Sequence, residues 1–220
     1  MQKNKAYLIF KHVMDRIIAF FSIIALGWVF LAIIIAIAID SKGKVIFTQL
    51  REGYNRELFG VYKFRTMKTL DVKFDKNNPV ITDANKNVTK VGRFLRKYKL
   101  DELPQLFNIL RGEMSFIGPR PLMPVYSEGY EKWEYRKFAQ KPGMTGLAQT
   151  RGNGYLSIKA RSYYDALYNE NVTLGGDIKI LLKTIAIIFR GEKYFLDEPD
   201  PALIEAMKEK YNNDDDGTNG

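Results

Sequence analysis

Residues 17–39 read I-I-A-F-F-S-I-I-A-L-G-W-V-F-L-A-I-I-I-A-I-A-I, a strongly apolar run without a charged side chain. A helix over Ile17–Ile39 would be about 35 Å long, at about 1.5 Å per residue. The hydrocarbon core of a bilayer is about 30 Å thick, so this run is long enough to cross it. No small-residue cleavage pattern follows Ile39, which argues against a cleaved signal peptide. We therefore predict that residues 1–40 form a membrane-embedded helical segment.

The charges beside this run do not decide its topology. Positive charge marks the cytoplasmic side of a spanning helix, but here basic residues stand on both sides. Both flanks would be cytoplasmic if the segment entered one leaflet, bent and returned. Such a bend normally has a helix breaker, and Gly27-Trp28 near the centre is only a weak one. From the residues alone, spanning and re-entrant topologies both remain open. The flanking basic residues are Lys3, Lys5, Lys11, Arg16, Lys42, Lys44, Arg51 and Arg56.

The remaining sequence has the composition of a soluble basic protein. The 220 residues carry a net charge of +9, so anionic partners are expected. Phospholipid headgroups, nucleic acid and phosphorylated substrates all qualify on charge. The chain contains no cysteine, which excludes disulfides, thiolate catalysis and cysteine-based metal sites. The single histidine, His12, has no second histidine with which to bind metal, and we interpret it as an ordinary residue at the membrane interface.

Beyond residue 40, the pattern predicts a mostly helical α+β domain over residues 41–211. Two β-branched and aromatic runs, Val45–Gln49 and Phe59–Phe64, predict a short β-hairpin. Residues 71–90 are polar and predict a surface loop, and the acidic residues 212–220 predict a disordered tail. Helical spacing predicts helices over Val91–Lys99, Leu103–Leu110, Tyr126–Lys137, Arg161–Tyr168 and Leu174–Arg190. The first of these suits either an amphipathic helix at the membrane surface or one with a solvated basic face.

Two adjacent carboxylates, Asp101 and Glu102, stand just before Pro104. Because proline is tolerated only in the first turn of a helix, we expect Asp101 to be the N-cap. A cap and a first-turn carboxylate stabilise a helix by about 1 kcal/mol and need no further role. Alternatively, the helix N-terminus keeps Asp101 ionised as a nucleophile, and the pair binds Mg²⁺ together with phosphate oxygens.

Three further segments offer groups that suit a phosphorylated ligand. In Gly118-Pro119-Arg120-Pro121 the prolines hold Arg120 extended, as in a phosphate site or an ordinary rigid turn. Lys63 and Arg65 share one face if the strand continues, either as phosphate ligands or as a charged edge. The loop over residues 141–154 is rich in glycine, which permits close approach to a ligand, but it has neither a Walker A nor a G-x-G-x-x-G pattern. Its candidate ligand-binding residues are Thr145, Gln149, Arg151 and Asn153.

Taken in order, these segments resemble the bacterial sugar transferase family. Its members are small monotopic polyprenyl-phosphate phosphoglycosyl transferases that begin glycan assembly on a lipid carrier. The resemblance runs from about Phe10 to Arg190 and rests on V-I-F-T-Q, Y-K-F-R-T-M, L-D-E-L-P-Q-L-F-N-I-L-R-G-E-M-S-F-I-G-P-R-P and P-G-M-T-G-L-A-Q. The third block is long and specific, and it changes our interpretation of Asp101 and Glu102 from a helix cap to a catalytic pair.

The resemblance implies a reaction and a location. Asp101 is expected to attack the sugar-linked phosphorus of a UDP-sugar and expel UMP. A polyprenyl (undecaprenyl) phosphate would then take the phospho-sugar from the enzyme and leave as a polyprenyl diphosphate sugar. Mg²⁺ is expected to bridge the diphosphate and the Asp101–Glu102 pair, while Arg120 and Lys63 screen the phosphates. The catalytic domain would lie on the phospholipid surface of the bacterial inner membrane and face the cytoplasm, with no nucleic acid as partner.

One departure from the family and two alternative functions accompany this hypothesis. The family usually has a Ser-Pro pair at the bend of its membrane helix, where this chain has Gly27-Trp28. We still expect a re-entrant segment, because the family's topology agrees with the balanced basic flanks.

The alternative functions are a membrane-bound glycosyltransferase that releases UDP and a non-enzymatic basic module that binds nucleic acid or anionic lipid. The second alternative leaves the long block around Asp101 unexplained.

Overall fold

The computed structural model describes residues 4–68 and 85–213, and in these ranges the chain is mostly helical with two small sheets. The predicted mostly helical α+β class is therefore confirmed. The helices are α1 Lys5–Ala25, α2 Gly27–Asp40, α3 Lys90–Lys97, α4 Gln105–Arg111, α5 Ile158–Glu170, α6 Leu174–Arg190 and α7 Pro201–Asn213. The strands are β1 Ile46–Glu52, β2 Leu58–Phe64, β3 Ser115–Ile117 and β4 Gly143–Thr145.

The apolar N-terminal run forms two helices joined by a sharp bend. α1 and α2 are inclined at 62°, and the break between them lies at Leu26, one residue before the predicted Gly27-Trp28. The backbone N–H of Leu26 still donates to the Ser22 carbonyl at 2.9 Å, so the last turn of α1 is closed before the chain turns. Among the described helices, none is long and apolar enough by itself to cross a membrane, whereas the bent pair together meets both requirements.

The bent pair packs directly on the domain. Ala19 of α1 is fully buried beside Val61 of β2, and Ile37 of α2 is buried beside Phe64. Burying a large apolar side chain contributes about 1.5–3 kcal/mol. The predicted hairpin is confirmed as an antiparallel pair of β1 and β2 in which Glu52 faces Leu58. The N-terminal helices therefore pack on the hairpin through two hydrophobic clusters, one at α1 and one at α2.

The second sheet explains the glycines of the loop over residues 141–154. β3 and β4 run parallel, and the chain after β3 passes in contact with β4. A Cβ on Gly143 would lie 2.1 Å from the Gly118 nitrogen, and a Cβ on Gly118 would lie 2.3 Å from the Lys141 carbonyl oxygen. Only glycine permits this approach. We expected the glycines of the loop over residues 141–154 to admit a ligand; at Gly143 the space is instead taken by the neighbouring backbone.

Two predicted elements differ from the structure. In place of one helix over Tyr126–Lys137 there are two 3-10 helices, Pro124–Gly129 and Lys132–Ala139, because Glu131 forms a capping box that starts the second one. α7 has no predicted counterpart and reaches Asn213, so the first two residues of the predicted disordered tail are helical. Residues 214–220 of that tail and residues 71–84 of the predicted loop lie outside the described residues.

Candidate active site

Asp101 and Glu102 lie in a 3-10 turn, Leu100–Glu102, that leads into α4. The turn begins at Lys99, which has a left-handed backbone with φ of 58°, and the Glu102 N–H donates to the Lys99 carbonyl at 3.3 Å. Asp101 is therefore not the expected N-cap of the helix. Pro104 occupies that position, because the carboxylates belong to a separate short turn rather than to the first turn of α4.

Glu102 is paired with two cations from distant parts of the sequence. Its Oε1 atom accepts from Lys63 Nζ at 2.6 Å and from Arg120 Nη2 at 3.3 Å. Burial opposes the charge of Glu102, but Lys63 and Arg120 outweigh burial and hold the pKa of this carboxyl far below its usual range. The structure thus brings four of the predicted site residues together: Asp101, Glu102, Lys63 and Arg120.

Asp101 differs from its neighbour in having an unpaired carboxylate. It is 9% exposed, and it has no ion pair with any residue in the described part of the chain. Burial and the negative charge of Glu102 raise the pKa of Asp101, against the opposing charges of Lys63, Lys99 and Arg96. The pKa values of the two carboxyl groups are therefore shifted in opposite directions: Glu102 is an ion-pair acceptor, whereas Asp101 has no ion pair among the described residues. Such a separation of roles is typical of catalytic carboxylate pairs.

The carboxylate pair suits a metal ion that is shared with a substrate. Within residues 4–68 and 85–213, there is no group of three or more His, Cys, Asp or Glu side chains that could hold a metal alone. Mg²⁺ is usually bound by one or two carboxylates, with water and substrate phosphates as the other ligands. Asp101 and Glu102 would supply the two carboxylates of such a site, and a cation there would offset the burial and the Glu102 charge that together raise the pKa of Asp101.

Two predicted site residues have structural partners instead. Arg65 Nη2 donates to the carbonyl oxygen of Ser41 at 2.5 Å and to its hydroxyl at 3.0 Å, which ties the hairpin to the end of α2. β2 ends one residue earlier, so the alternation that would place Lys63 and Arg65 on one face does not continue. Thr145 Oγ1 lies 2.6 Å from Thr184 Oγ1 and links β4 to α6.

The other three residues of the glycine-rich loop have separate environments. Gln149 is 7% exposed, and neither atom of its amide has a hydrogen-bond partner in the described structure. Arg151 forms an ion pair with Asp197. Asn153 Nδ2 donates to Glu192 Oε1 at 2.9 Å. The same oxygen accepts from Lys99, which begins the turn Leu100–Glu102, here called the carboxylate turn. Of these three residues, Asn153 is the one connected to that turn.

The family can be assigned from these residues and from comparison with known proteins. The model of the family described as bacterial sugar transferase matches residues 6–191, which include the carboxylate turn, both of its cations and the glycine-rich loop. The chain belongs to the bacterial sugar transferase family. The family resemblance seen in the sequence is confirmed.

Three relatives show what kind of sugar transferase this chain is similar to. A UDP-glucose:undecaprenyl-phosphate glucose-1-phosphate transferase from Klebsiella pneumoniae is 37% identical over 198 residues, 83% of this chain and 40% of that protein. An undecaprenyl-phosphate galactose phosphotransferase from Salmonella typhimurium is 40% identical over 162 residues, 67% of this chain and 34% of that protein. An uncharacterized sugar transferase, EpsL, from Bacillus subtilis is 35% identical over 185 residues, 84% of this chain and 90% of that protein. The chain thus spans well under half of the first two relatives and most of the third.

This sugar transferase has more cations near Arg120 than the sequence indicates. The Glu52 N–H donates to the Leu122 carbonyl at 3.0 Å, which brings Arg51 of β1 beside the segment Gly118-Pro119-Arg120-Pro121, here called the arginine loop. Burial and the charge of Arg120 lower the pKa of Arg51 to about 10. Burial is also the main cause of the lowered pKa of Arg161 on α5, and Arg120 adds to it. No local motif marks Arg51 or Arg161, so sequence reasoning missed both.

A buried ion pair supports the loop that carries Arg120. Lys137 Nζ lies 3.0 Å from Asp165 Oδ2, and each side chain is 2% exposed. The backbone of Arg120 lies close enough to the Asp165 carboxylate to favour its charged form, against the stronger effect of burial. Lys137 also lines the small pocket formed by Pro119, Arg120 and Pro121. The pair therefore contacts the main chain of the arginine loop from the protein interior.

Asn108 links the helix after the Asp101–Glu102 turn to the strand that carries Lys63 in the candidate site. It is fully buried, and its Nδ2 donates to the Gly60 carbonyl at 2.8 Å and to Glu113 Oε2 at 2.7 Å. Its Oδ1 accepts from the Tyr62 N–H at 3.0 Å. These bonds join α4, which follows the carboxylate turn, to the strand that carries Lys63. Asn108 is part of the L-P-Q-L-F-N-I-L block, but its role depends on a strand far away in the sequence.

Proposed function

We propose that this chain is a phosphoglycosyl transferase that moves a phospho-sugar from a UDP-sugar to polyprenyl (undecaprenyl) phosphate and releases UMP. The observation that carries the proposal is a carboxylate, Asp101, that has no ion pair within residues 4–68 and 85–213 and stands beside a carboxylate, Glu102, that is ion-paired to both Lys63 and Arg120. The names of the relatives from Klebsiella pneumoniae and Salmonella typhimurium support the type of reaction and the acceptor.

In the first step, Asp101 acts as the nucleophile. A lone pair of its carboxylate forms a bond to the sugar-linked phosphorus, the bond from this phosphorus to the bridging oxygen breaks, and UMP leaves with the bonding electrons. The product on the protein is an aspartyl phospho-sugar. Lys63 and Arg120 stand beside the carboxylate turn and offset the negative charge that the diphosphate brings.

In the second step, an oxygen of the polyprenyl phosphate attacks the same phosphorus. The bond to Asp101 breaks, which regenerates the carboxylate and gives the polyprenyl diphosphate sugar. Each step brings two anions together, so the cationic surroundings of Arg120, including Arg51, favour both. Asp101 and Glu102 would hold Mg²⁺ together with substrate phosphate, and the bound ion supplies further charge screening.

The helices α1 and α2 enter and leave one leaflet in this proposal, with the domain on the cytoplasmic face of the bacterial inner membrane. The 62° bend supports it, as do large exposed apolar side chains: Trp28 at 75%, Ile39 at 81% and Phe189 of α6 at 81% exposed. Lipid contact removes this apolar surface from water. The basic residues on both flanks of the run would then meet anionic headgroups on the same side.

The nucleotide product tests this function directly. The protein would be placed in lipid nanodiscs with Mg²⁺ and undecaprenyl phosphate and supplied with a panel of UDP-sugars. UMP release that requires the lipid phosphate is expected for at least one donor, and Asp101→Asn is expected to abolish it. Release of UDP would identify a glycosyltransferase instead. UMP release at an unchanged rate in Asp101→Asn would overturn the assigned nucleophile.

A further inference from the structure

Glu192, just after α6, has one carboxylate oxygen that binds residues from two other segments. Its Oε1 accepts from Lys99 Nζ at 2.6 Å and from Asn153 Nδ2 at 2.9 Å. The Glu192 side chain is 18% exposed and the Lys99 side chain is 44% exposed, so water reaches the lysine end of the contact. We call this three-residue contact, formed by Lys99, Glu192 and Asn153, the Glu192 bridge.

Both partners of Glu192 have a positive φ angle, a backbone conformation that residues other than glycine rarely adopt. The φ angle is 58° at Lys99 and 48° at Asn153. Within the described ranges, four non-glycine residues have positive φ, and two of them meet at this carboxylate. Asparagine adopts the left-handed region comparatively easily, whereas lysine has no short polar group to stabilise it. Such strain persists where surrounding contacts hold the residue, and it concentrates at functional sites.

Lys99 is also the residue from which the carboxylate turn starts. The carbonyl of Lys99 accepts the Glu102 N–H at 3.3 Å, and Asp101 lies between the two residues. This single 3-10 turn is short, so a change in the Lys99 backbone redirects both carboxylates. Lys63 lies on β2 and Arg120 lies in the loop after β3, so this turn carries neither cation.

We propose that Glu192 is a positioning residue: it holds Lys99 in its strained conformation and thereby orients Asp101 for attack. Asn153 donates to the same oxygen and so gives Glu192 a second partner besides Lys99. The inference rests on the proposed function, because it assumes that Asp101 performs phosphoryl transfer.

The test compares Glu192→Ala alone with Glu192→Ala combined with Lys99→Asn. Asparagine removes the amine of Lys99 but tolerates the positive φ at this position. Steady-state UMP release is measured with two accepted UDP-sugars at saturating undecaprenyl phosphate. Glu192→Ala is expected to lower kcat about 10- to 100-fold, as for a misplacement of about 1 Å, and to leave KM within about twofold for both donors. Adding Lys99→Asn is expected to lower kcat no more than about twofold further, because both changes break the same contact. Glu192→Gln retains an acceptor oxygen and is expected to restore most of kcat.

The matched control is Glu170→Ala, which breaks a contact of the same chemistry away from the carboxylate turn. Glu170 Oε1 accepts from Lys210 Nζ at 2.6 Å and from the Tyr211 hydroxyl at 2.7 Å. Its loss is expected to leave kcat unchanged. A kcat within twofold of the wild type in Glu192→Ala would overturn the proposal. A KM change that differs between the two donors would also overturn it, since that result assigns Glu192 to sugar contact.

Hydrogen exchange separates the failure of this inference from the failure of the proposed function. The amides of residues 100–103 are expected to exchange faster in Glu192→Ala than in the wild type or in Glu170→Ala. Faster exchange in a protein that releases no UMP would support the Glu192 bridge and refute the function. Unchanged exchange in this turn would refute the bridge, whatever the activity.

Discussion

Lys137→Met is expected to destabilise the protein strongly, because it leaves a buried carboxylate without its cation. Lys137 and Asp165 are 3.0 Å apart, and each side chain is 2% exposed. Breaking such a pair from one side costs about 3–5 kcal/mol. In a domain of this size each kcal/mol corresponds to about 2–4 °C in Tm, so a decrease of about 6–20 °C is expected.

Trp133 provides the assay for this prediction. It is fully buried in the 3-10 helix that carries Lys137, and the chain has one other tryptophan, Trp28. In a Trp28→Phe background, thermal unfolding in nanodiscs can therefore be followed by Trp133 fluorescence alone. A decrease in Tm below about 2 °C for Lys137→Met would refute a buried, energetically coupled pair.

The double variant Lys137→Met/Asp165→Leu separates stability from function. Replacing both members of a buried ion pair by apolar residues is commonly neutral or stabilising, so most of the lost stability is expected to return. UMP release is expected to stay low, because the charged Asp165 carboxylate no longer lies beside the backbone of Arg120. A double variant with both wild-type stability and wild-type activity would show that the pair does not support the arginine loop.

Three other predictions concern proton binding and packing. The rate of UMP release should fall as pH decreases through the raised pKa of Asp101. Glu102→Gln removes one cause of this raised pKa, so it should move the acid limb of the pH profile to lower pH. A move of the acid limb to higher pH would contradict this prediction. Gly92→Ala should cost about 1–3 kcal/mol in thermal unfolding, since its Cβ would lie 2.2 Å from a backbone carbonyl oxygen. Asp177→Ala should cost about 3–5 kcal/mol by leaving the buried Lys11 ammonium, 2.8 Å away, unpaired; an unchanged Tm would exclude this.

The sequence predicts best those features that neighbouring residues determine. The helix Leu174–Arg190 agrees with α6 at both ends, because Thr173 caps its start and Gly191, with φ of 82°, ends it. The hairpin follows from two short β-branched runs separated by a polar turn. The sequence places the bend of the apolar run within one residue of its position in the structure, because Gly27 interrupts an otherwise uniform run of better helix-forming residues.

Features that depend on long-range contacts could not be predicted in the same way. Lys99 and Glu192 are 93 residues apart, and neither belongs to a recognisable motif. Arg65 appeared equivalent to Lys63 by alternation, but β2 ends between them and the two side chains bind different partners. The prediction that Asp101 caps the helix was wrong, because a separate turn precedes α4. The local sequence pattern does not distinguish one long helix from a turn followed by a short helix.

Intact-protein mass spectrometry tests the covalent role of Asp101 most directly. The protein with Mg²⁺ and an accepted UDP-sugar, but without undecaprenyl phosphate, should gain the mass of one phospho-sugar, and peptide mapping should place it on Asp101. Adding undecaprenyl phosphate should remove this mass and release the lipid-linked product, while Asp101→Asn should never acquire it. UMP release that proceeds only with both substrates present and without labelled protein would contradict the covalent mechanism, as would a label that persists in Asp101→Asn.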